Sequence, residues 1–122
     1  MAIRYLLDEN LRGPLWHAIQ RHNASGGLPL DVARVGEPPD LALGSPDQFV
    51  LEWCERQDRI LVSFDHGTLP GHLADRVTHG GHSPGIFLIR PGTSLRDAIE
   101  SLELVAHAGD PADYRDRVIY LP

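Results

Sequence analysis

The sequence predicts an α/β protein: a three-layer α/β/α sandwich around a mostly parallel five-stranded sheet. Three observations carry this. Short apolar runs alternate with longer amphipathic stretches along all 122 residues. The runs are nearly continuous in apolar side chains, as strands covered on both faces require. No repeat, low-complexity tract or linker breaks the alternation, so residues 1–122 read as one domain. Crossovers in such a sheet are expected to be right-handed.

The elements follow in order. Ile3 to Leu7 reads as a buried strand. Leu11 to His22 reads as a helix with Leu11, Leu15, Ala18 and Ile19 on one face, and Pro14 is tolerable in its first turn. Leu30 to Val35 is the second strand, followed by a loop from Gly36 to Gly44. Ser45 has the position of an N-cap, with Pro46 at N1 and Gln48 closing a capping box. Phe49, Val50, Trp53 and Cys54 then form an apolar face. Arg59 to Ser63 is the third strand, and Thr68 to about His79 a weaker helix interrupted by Pro70-Gly71. Ile86 to Ile89 is a fully apolar fourth strand. A helix from Leu95 turns Leu95, Ala98, Ile99, Leu102, Val105 and Ala106 inward, and Arg117 to Leu121 is the last strand.

Composition narrows the function classes. Seventeen acids face eleven bases, for a net charge of −6, and every base is arginine. Without lysine there is no Walker P-loop and no Schiff-base chemistry. A net negative chain is a poor general binder of nucleic acid, so such contact needs a local arginine patch and a divalent metal. One cysteine, Cys54, excludes an internal disulfide framework and a Cys-rich zinc module. No apolar run approaches the ~20 residues of a membrane span, and Arg4 with Asp8-Glu9 excludes a signal peptide; the expected compartment is the cytoplasm.

Function in a parallel sheet collects outside the carboxyl ends of the strands. Asp8, Glu9 and Asn10 follow the first strand, Asp65 and His66 the third, and Arg90 the fourth; Asp47 lies in the first turn of the helix before the third strand. Asp8, Asp47 and Asp65 are therefore expected to converge. Clustered carboxylates repel unless a cation neutralises them, and oxygen-only ligands suit Mg²⁺ or Mn²⁺. Such an ion activates a water and offsets charge on a phosphodiester. Each residue also has a plainer reading. Asp47 favours the helix dipole whatever the function, Asp65 suits a loop or cap, and Asp8, after five strand residues and beside a second acid, is the hardest to explain away. His66 is placed to contact a phosphate or donate a proton. Arg12 and Arg90 are candidates for phosphate contact, with surface ion pairing the alternative. Trp16 and Trp53 read as core or interface residues rather than stacking platforms. His72, His79 and His82 raise zinc, but without HExxH spacing they read as surface histidines.

Several segments resemble one family in order. Leu6-Leu7-Asp8-Glu9-Asn10-Leu11 resembles the "LLDENLP" start of the DUF5615 PIN-like proteins. Gly44-Ser45-Pro46-Asp47 resembles their "G-x-S-D" helix start, Arg59 to Asp65 their "R-V-L-L-T-x-D" strand, and Pro84 to Arg90 their "P-G-V-I-x-L-R" strand. The resemblance implies a PIN-like sandwich with strand order 3-2-1-4-5. It implies a Mg²⁺- or Mn²⁺-dependent ribonuclease acting on RNA, often the toxin of a toxin–antitoxin pair, with an antitoxin protein as partner and a homodimer as assembly. Asp8, Asp47 and Asp65 then become the catalytic metal-site acids, with Glu9 adjoining them, His66 assisting and Asn10 among the substrate contacts. One departure stands out. The family's second acid after the third strand falls at Gly67, which motivates an alternative: a non-catalytic module of the same fold that acts through a protein partner. Two other resemblances fail. Phe64 to Leu69 lacks the second Asp of the haloacid dehalogenase-like motif, and a phospho-receiver domain needs a lysine that this chain does not have.

Overall fold

The computed structural model describes residues 2–11 and 13–121. Its elements are β1 (Arg4–Leu7), α1 (Pro14–Ala24), β2 (Val32–Arg34), α2 (Asp47–Gln57), β3 (Arg59–Ser63), α3 (Leu69–Thr78), β4 (Ile86–Ile89), α4 (Leu95–Ala108) and β5 (Val118–Leu121). A 3-10 turn, Glu9–Leu11, follows β1, and another, Pro111–Asp113, precedes β5. All five strands pair in parallel, and the α/β class and three-layer architecture stand as expected.

The strand order is β2-β1-β3-β4-β5, which corrects the order 3-2-1-4-5. Strand burial supplies the reason. β3 carries four fully buried residues, Ile60 to Ser63, and needs neighbours on both sides and helices on both faces. β2 has three half-buried residues and suits an edge. The chain direction across the sheet therefore reverses between β1 and β3, and the carboxyl ends of these two strands form the switch-point crevice.

Side-chain alternation divides the core in two. On one face, Tyr5, Leu7, Ile60, Val62, Phe87 and Ile89 pack under α1 and α4. On the other, Leu6, Leu61, Ile86 and Leu88 pack under α2 and α3. This arrangement corrects the expected uniform hand of the crossovers. The units through α1, α2 and α3 share one hand. The β4-α4-β5 unit steps in the same direction as β3-α3-β4 but runs over the opposite face, so its hand is opposite. Docking of α4 accounts for it: Ala98, Ile99, Leu102 and Ala106 cover the face that α1 alone leaves open. The Tyr5 hydroxyl donates to the Leu102 carbonyl (2.8 Å), and the Ile3 amide donates to the Ala106 carbonyl (3.1 Å). One consequence is that, among the described residues, no helix beyond α3 covers the second face at β5.

Local expectations fare unevenly. Leu11, Leu15, Ala18 and Ile19 are all buried, although the helix proper begins at Pro14. Ser45 is not the cap of α2: its hydroxyl donates to the Ala42 carbonyl, Pro46 holds the cap position without a side-chain bond, and the Gln48 amide donates to the His72 carbonyl. Phe49 is exposed, and Leu51 takes its place in the core. Leu95 is also exposed, because the true cap, Ser94, starts α4 just before it and turns Ala98 to the sheet; the Ser94 hydroxyl accepts from the Asp97 amide at 3.0 Å. Among the described residues no helix is long and apolar enough to cross a membrane.

Candidate functional site

The register of the sheet places the site. Leu7 pairs with Val62, and the Asp8 amide extends the ladder by donating to the Val62 carbonyl (2.9 Å). Asp8 therefore stands beside Ser63 at the carboxyl edge. Leu6 and Leu61 point to the α2/α3 face, so by alternation Asp8 and Ser63 do too. The first turns of α2 and α3 approach the same edge. Asp47 opens α2, Thr68 precedes α3, and both helix N-termini direct positive dipole ends toward this crevice.

Ser63 is the hub. Its hydroxyl is fully buried and donates to Asp8 Oδ2 at 2.9 Å. The same oxygen accepts from the Asp65 amide at 3.0 Å and from Asn10 Nδ2 at 3.4 Å. Asp8 Oδ1 accepts from the Glu9 amide at 2.8 Å. Asp65 folds back onto its own loop, with Oδ1 accepting from the Gly67 and Thr68 amides and Oδ2 from the Thr68 hydroxyl at 2.6 Å. That hydroxyl also lies 3.4 Å from Asp47 Oδ2, and His72 Nε2 lies 3.4 Å from the same oxygen. A chain of polar contacts thus runs from Asp8 through Ser63 and Asp65 to Thr68, Asp47 and His72.

The two carboxylates at the ends of β1 and β3 differ electrostatically. Burial pushes the Asp8 carboxyl above its ordinary value, and repulsion from Asp47 and Glu9 adds to this against the opposing bonds from Ser63 and the Glu9 amide. Asp65 is held below the ordinary value, chiefly by the Thr68 hydroxyl and then by the Thr68 and Gly67 amides.

The remaining candidates fall around this centre. Glu9 is exposed and its carboxylate accepts from the Gly44 amide. Asn10 braces β3 through Ser63 and, at 3.5 Å, the Phe64 amide. His66 Nε2 lies 2.8 Å from the Ile89 carbonyl; a carbonyl only accepts, so Nε2 carries the proton. Arg90 is exposed, with its guanidinium 5.6 Å from the centre of the Tyr120 ring. Arg12 lies outside the described residues. Trp53 is a core residue whose indole N–H donates to Asp40 at 3.0 Å, and Arg34 covers the half-buried Trp16. His79 and His82 have separate partners, the Asp75 carbonyl and the Asp116 carboxylate, and do not gather with His72. Sequence reasoning missed the hub role of Ser63. A hydroxyl closing the buried run Ile60-Leu61-Val62 was the available signal.

Three aspartates joined by hydroxyl groups are hard oxygen donors, which suits Mg²⁺ or Mn²⁺ in kind. Among the described residues no three carboxylate, imidazole or thiol side chains are gathered closely enough to enclose an ion in this conformation. Asp8 and Asp47, whose mutual repulsion a cation would relieve, are the pair that would hold it first; Asp65 is turned onto its loop. No family model, curated protein or solved structure matches the chain.

Proposed function

We propose that this chain is a divalent-metal-dependent ribonuclease of the PIN-like class, with Asp8, Asp47 and Asp65 as its acidic centre. One observation carries the reading: Asp8, at the end of a buried strand in the switch-point crevice, holds a carboxylate whose charge is opposed both by burial and by Asp47. Its bonds from Ser63 and the Glu9 amide do not outweigh that opposition, and a bound cation relieves it. The choice of RNA rests on the sequence motifs, whose implied strand order differs from the one found here.

Bound Mg²⁺ or Mn²⁺ would supply an activated water and charge stabilisation. The chain's own residues do the rest. Ser63 fixes the Asp8 carboxylate in one rotamer, and Thr68 links Asp65 to Asp47. The N-termini of α2 and α3 favour a phosphate at the crevice. His66, held by its Nε2 bond to the Ile89 carbonyl, stands next in sequence to Asp65 at the same edge. The test is direct: incubation with single-stranded RNA and Mn²⁺ is expected to give cleavage that a chelator abolishes, and RNA left intact overturns the reading.

A second reading draws on Gly67 and on the capped Asp65: a non-catalytic module of this fold that acts through a protein partner such as an antitoxin. Gly67→Asp separates the two. A Cβ at this position meets only Asp65 Oδ1, at 3.5 Å, which is ordinary contact. Under the ribonuclease reading the added carboxylate is expected to tighten Mn²⁺ binding about tenfold in calorimetry, because affinity follows ligand charge. Unchanged or absent Mn²⁺ binding favours the partner module.

A further inference from the structure

On the ribonuclease reading, an RNA strand must lie along the carboxyl edge of the sheet, where the acidic centre stands. We propose that Tyr120, with Arg90 and His66 against its ring, forms a nucleotide subsite for a single-stranded RNA laid across the carboxyl edge of the sheet from β3 to β5.

Register puts Tyr120 in line with the acidic centre. Ser63 pairs with Leu88, and Leu88 with Tyr120, so Asp8, Ser63, Leu88 and Tyr120 form one transverse row. Alternation sets all four on the α2/α3 face. At the usual interstrand spacing Tyr120 stands about 10 Å from Ser63, and about 14 Å from Asp8. Arg90, two residues beyond Leu88, belongs to the same face.

The topology leaves this ring uncovered. Because α4 crosses over the other face, Tyr120 is 45% exposed on a strand whose next residue, Leu121, is buried. The His66 ring lies 5.4 Å from it, tilted by 41°, and the Arg90 guanidinium 5.6 Å from its centre. His66 is anchored by its bond to Ile89, the residue before Arg90. Arg90 is one of several arginines without a carboxylate partner among the described residues, and its guanidinium lies by an exposed ring. An unpaired guanidinium beside an open aromatic ring matches a phosphate and a base together. In a chain of net charge −6, this is the kind of local contact that RNA binding requires.

The experiment measures binding of a fluorescent single-stranded oligouridylate in low salt with Ca²⁺ in place of Mn²⁺, so that the acidic centre is neutralised while cleavage is suspended, and repeats it over a salt series. Tyr120→Ala is expected to weaken binding about tenfold, as loss of one stacked base does, while Tyr120→Phe stays within about twofold. Arg90→Ala is expected to lower the salt slope by about 0.7, one phosphate contact on a single strand. Wild-type affinity and slope in Tyr120→Ala and Arg90→Ala overturn the subsite; cleavage by the wild type in Mn²⁺ then still supports the ribonuclease. Tyr120-dependent binding without cleavage in Mn²⁺ keeps the subsite and removes the ribonuclease. No wild-type binding overturns the subsite whatever the cleavage assay gives. Dissociation of an oligomer by Tyr120→Ala with RNA affinity intact assigns the ring to self-association and also overturns it.

Discussion

Asp8→Asn is expected to make the metal-free protein more stable and to suppress the proposed metal-dependent cleavage. The sign follows from the direction of the Asp8 shift. Its folded-state value is raised above the ordinary 3.8. The folded protein therefore holds this proton more tightly than the unfolded chain does. The stabilisation that follows is complete below the unfolded value and is lost as pH rises through the folded one. At neutral pH the wild type carries a disfavoured charge that asparagine lacks. The asparagine Oδ1 still accepts from the Glu9 amide, whereas its Nδ2 only donates, so the Ser63 hydroxyl loses its acceptor and part of the gain is offset. In chelator, the variant should melt above the wild type near neutral pH, and the gap should close toward about pH 4. Excess Mn²⁺ should invert the order. A ligand at 100 times its Kd stabilises the wild type by about 2.7 kcal/mol, and the variant, having lost its principal carboxylate, should gain little. RNA cleavage should fall by at least about a hundredfold, the scale of losing one strong electrostatic contact to a transition state. A variant that melts with the wild type at every pH, and responds equally to Mn²⁺, would show Asp8 to be an ordinary strand-end residue.

The same residue shows how far the sequence could be read. Asp8, Ser63 and Arg90 close or follow short apolar runs that read as buried strands, so their place at the carboxyl edge was legible. The order of those strands was not. Periodicity reports that a strand is buried but not which strand lies beside it; that choice is made by tertiary packing, here by the short, half-buried β2 yielding the centre to β3. The return of α4 to the first face is equally silent in a helix pattern, because an apolar stripe does not name the sheet face that it covers. Tyr120 consequently read as one more strand residue, although the path of α4 leaves it exposed. The Ser45-Pro46 signal failed for a local reason. The Ser45 hydroxyl found the Ala42 carbonyl in its own turn, a competition open to any serine beside a loop. Asp65 illustrates the converse, since its plain reading as a loop cap and its reading as a site acid describe the same carboxylate.

Ser63→Ala should be the most damaging single-atom change near the site. The hydroxyl is fully buried, donates to Asp8 Oδ2 and accepts from the Asp65 amide, so its removal leaves one carboxylate oxygen and one amide without their partners. Unsatisfied groups of this kind cost about 1–3 kcal/mol, more than the bond itself contributes. The loss depends on pH with a definite sign. The Ser63 bond opposes the upward shift of Asp8, so its deletion raises the Asp8 value further. The deficit relative to wild type should accordingly grow as pH rises through the interval between the two folded values, and should be smaller where Asp8 is protonated in both proteins. Urea denaturation near neutral pH and near about pH 4 measures both quantities. Mn²⁺ affinity should fall by about 10- to 100-fold, as it does when a group that orients a metal ligand is lost. A purely structural serine would give the stability loss without the pH dependence or the change in Mn²⁺ affinity. The two variants then separate the roles along one hydrogen bond: removal of the Asp8 charge relieves the fold and silences the site, whereas removal of the Ser63 hydroxyl keeps the charge and takes away what holds it in place.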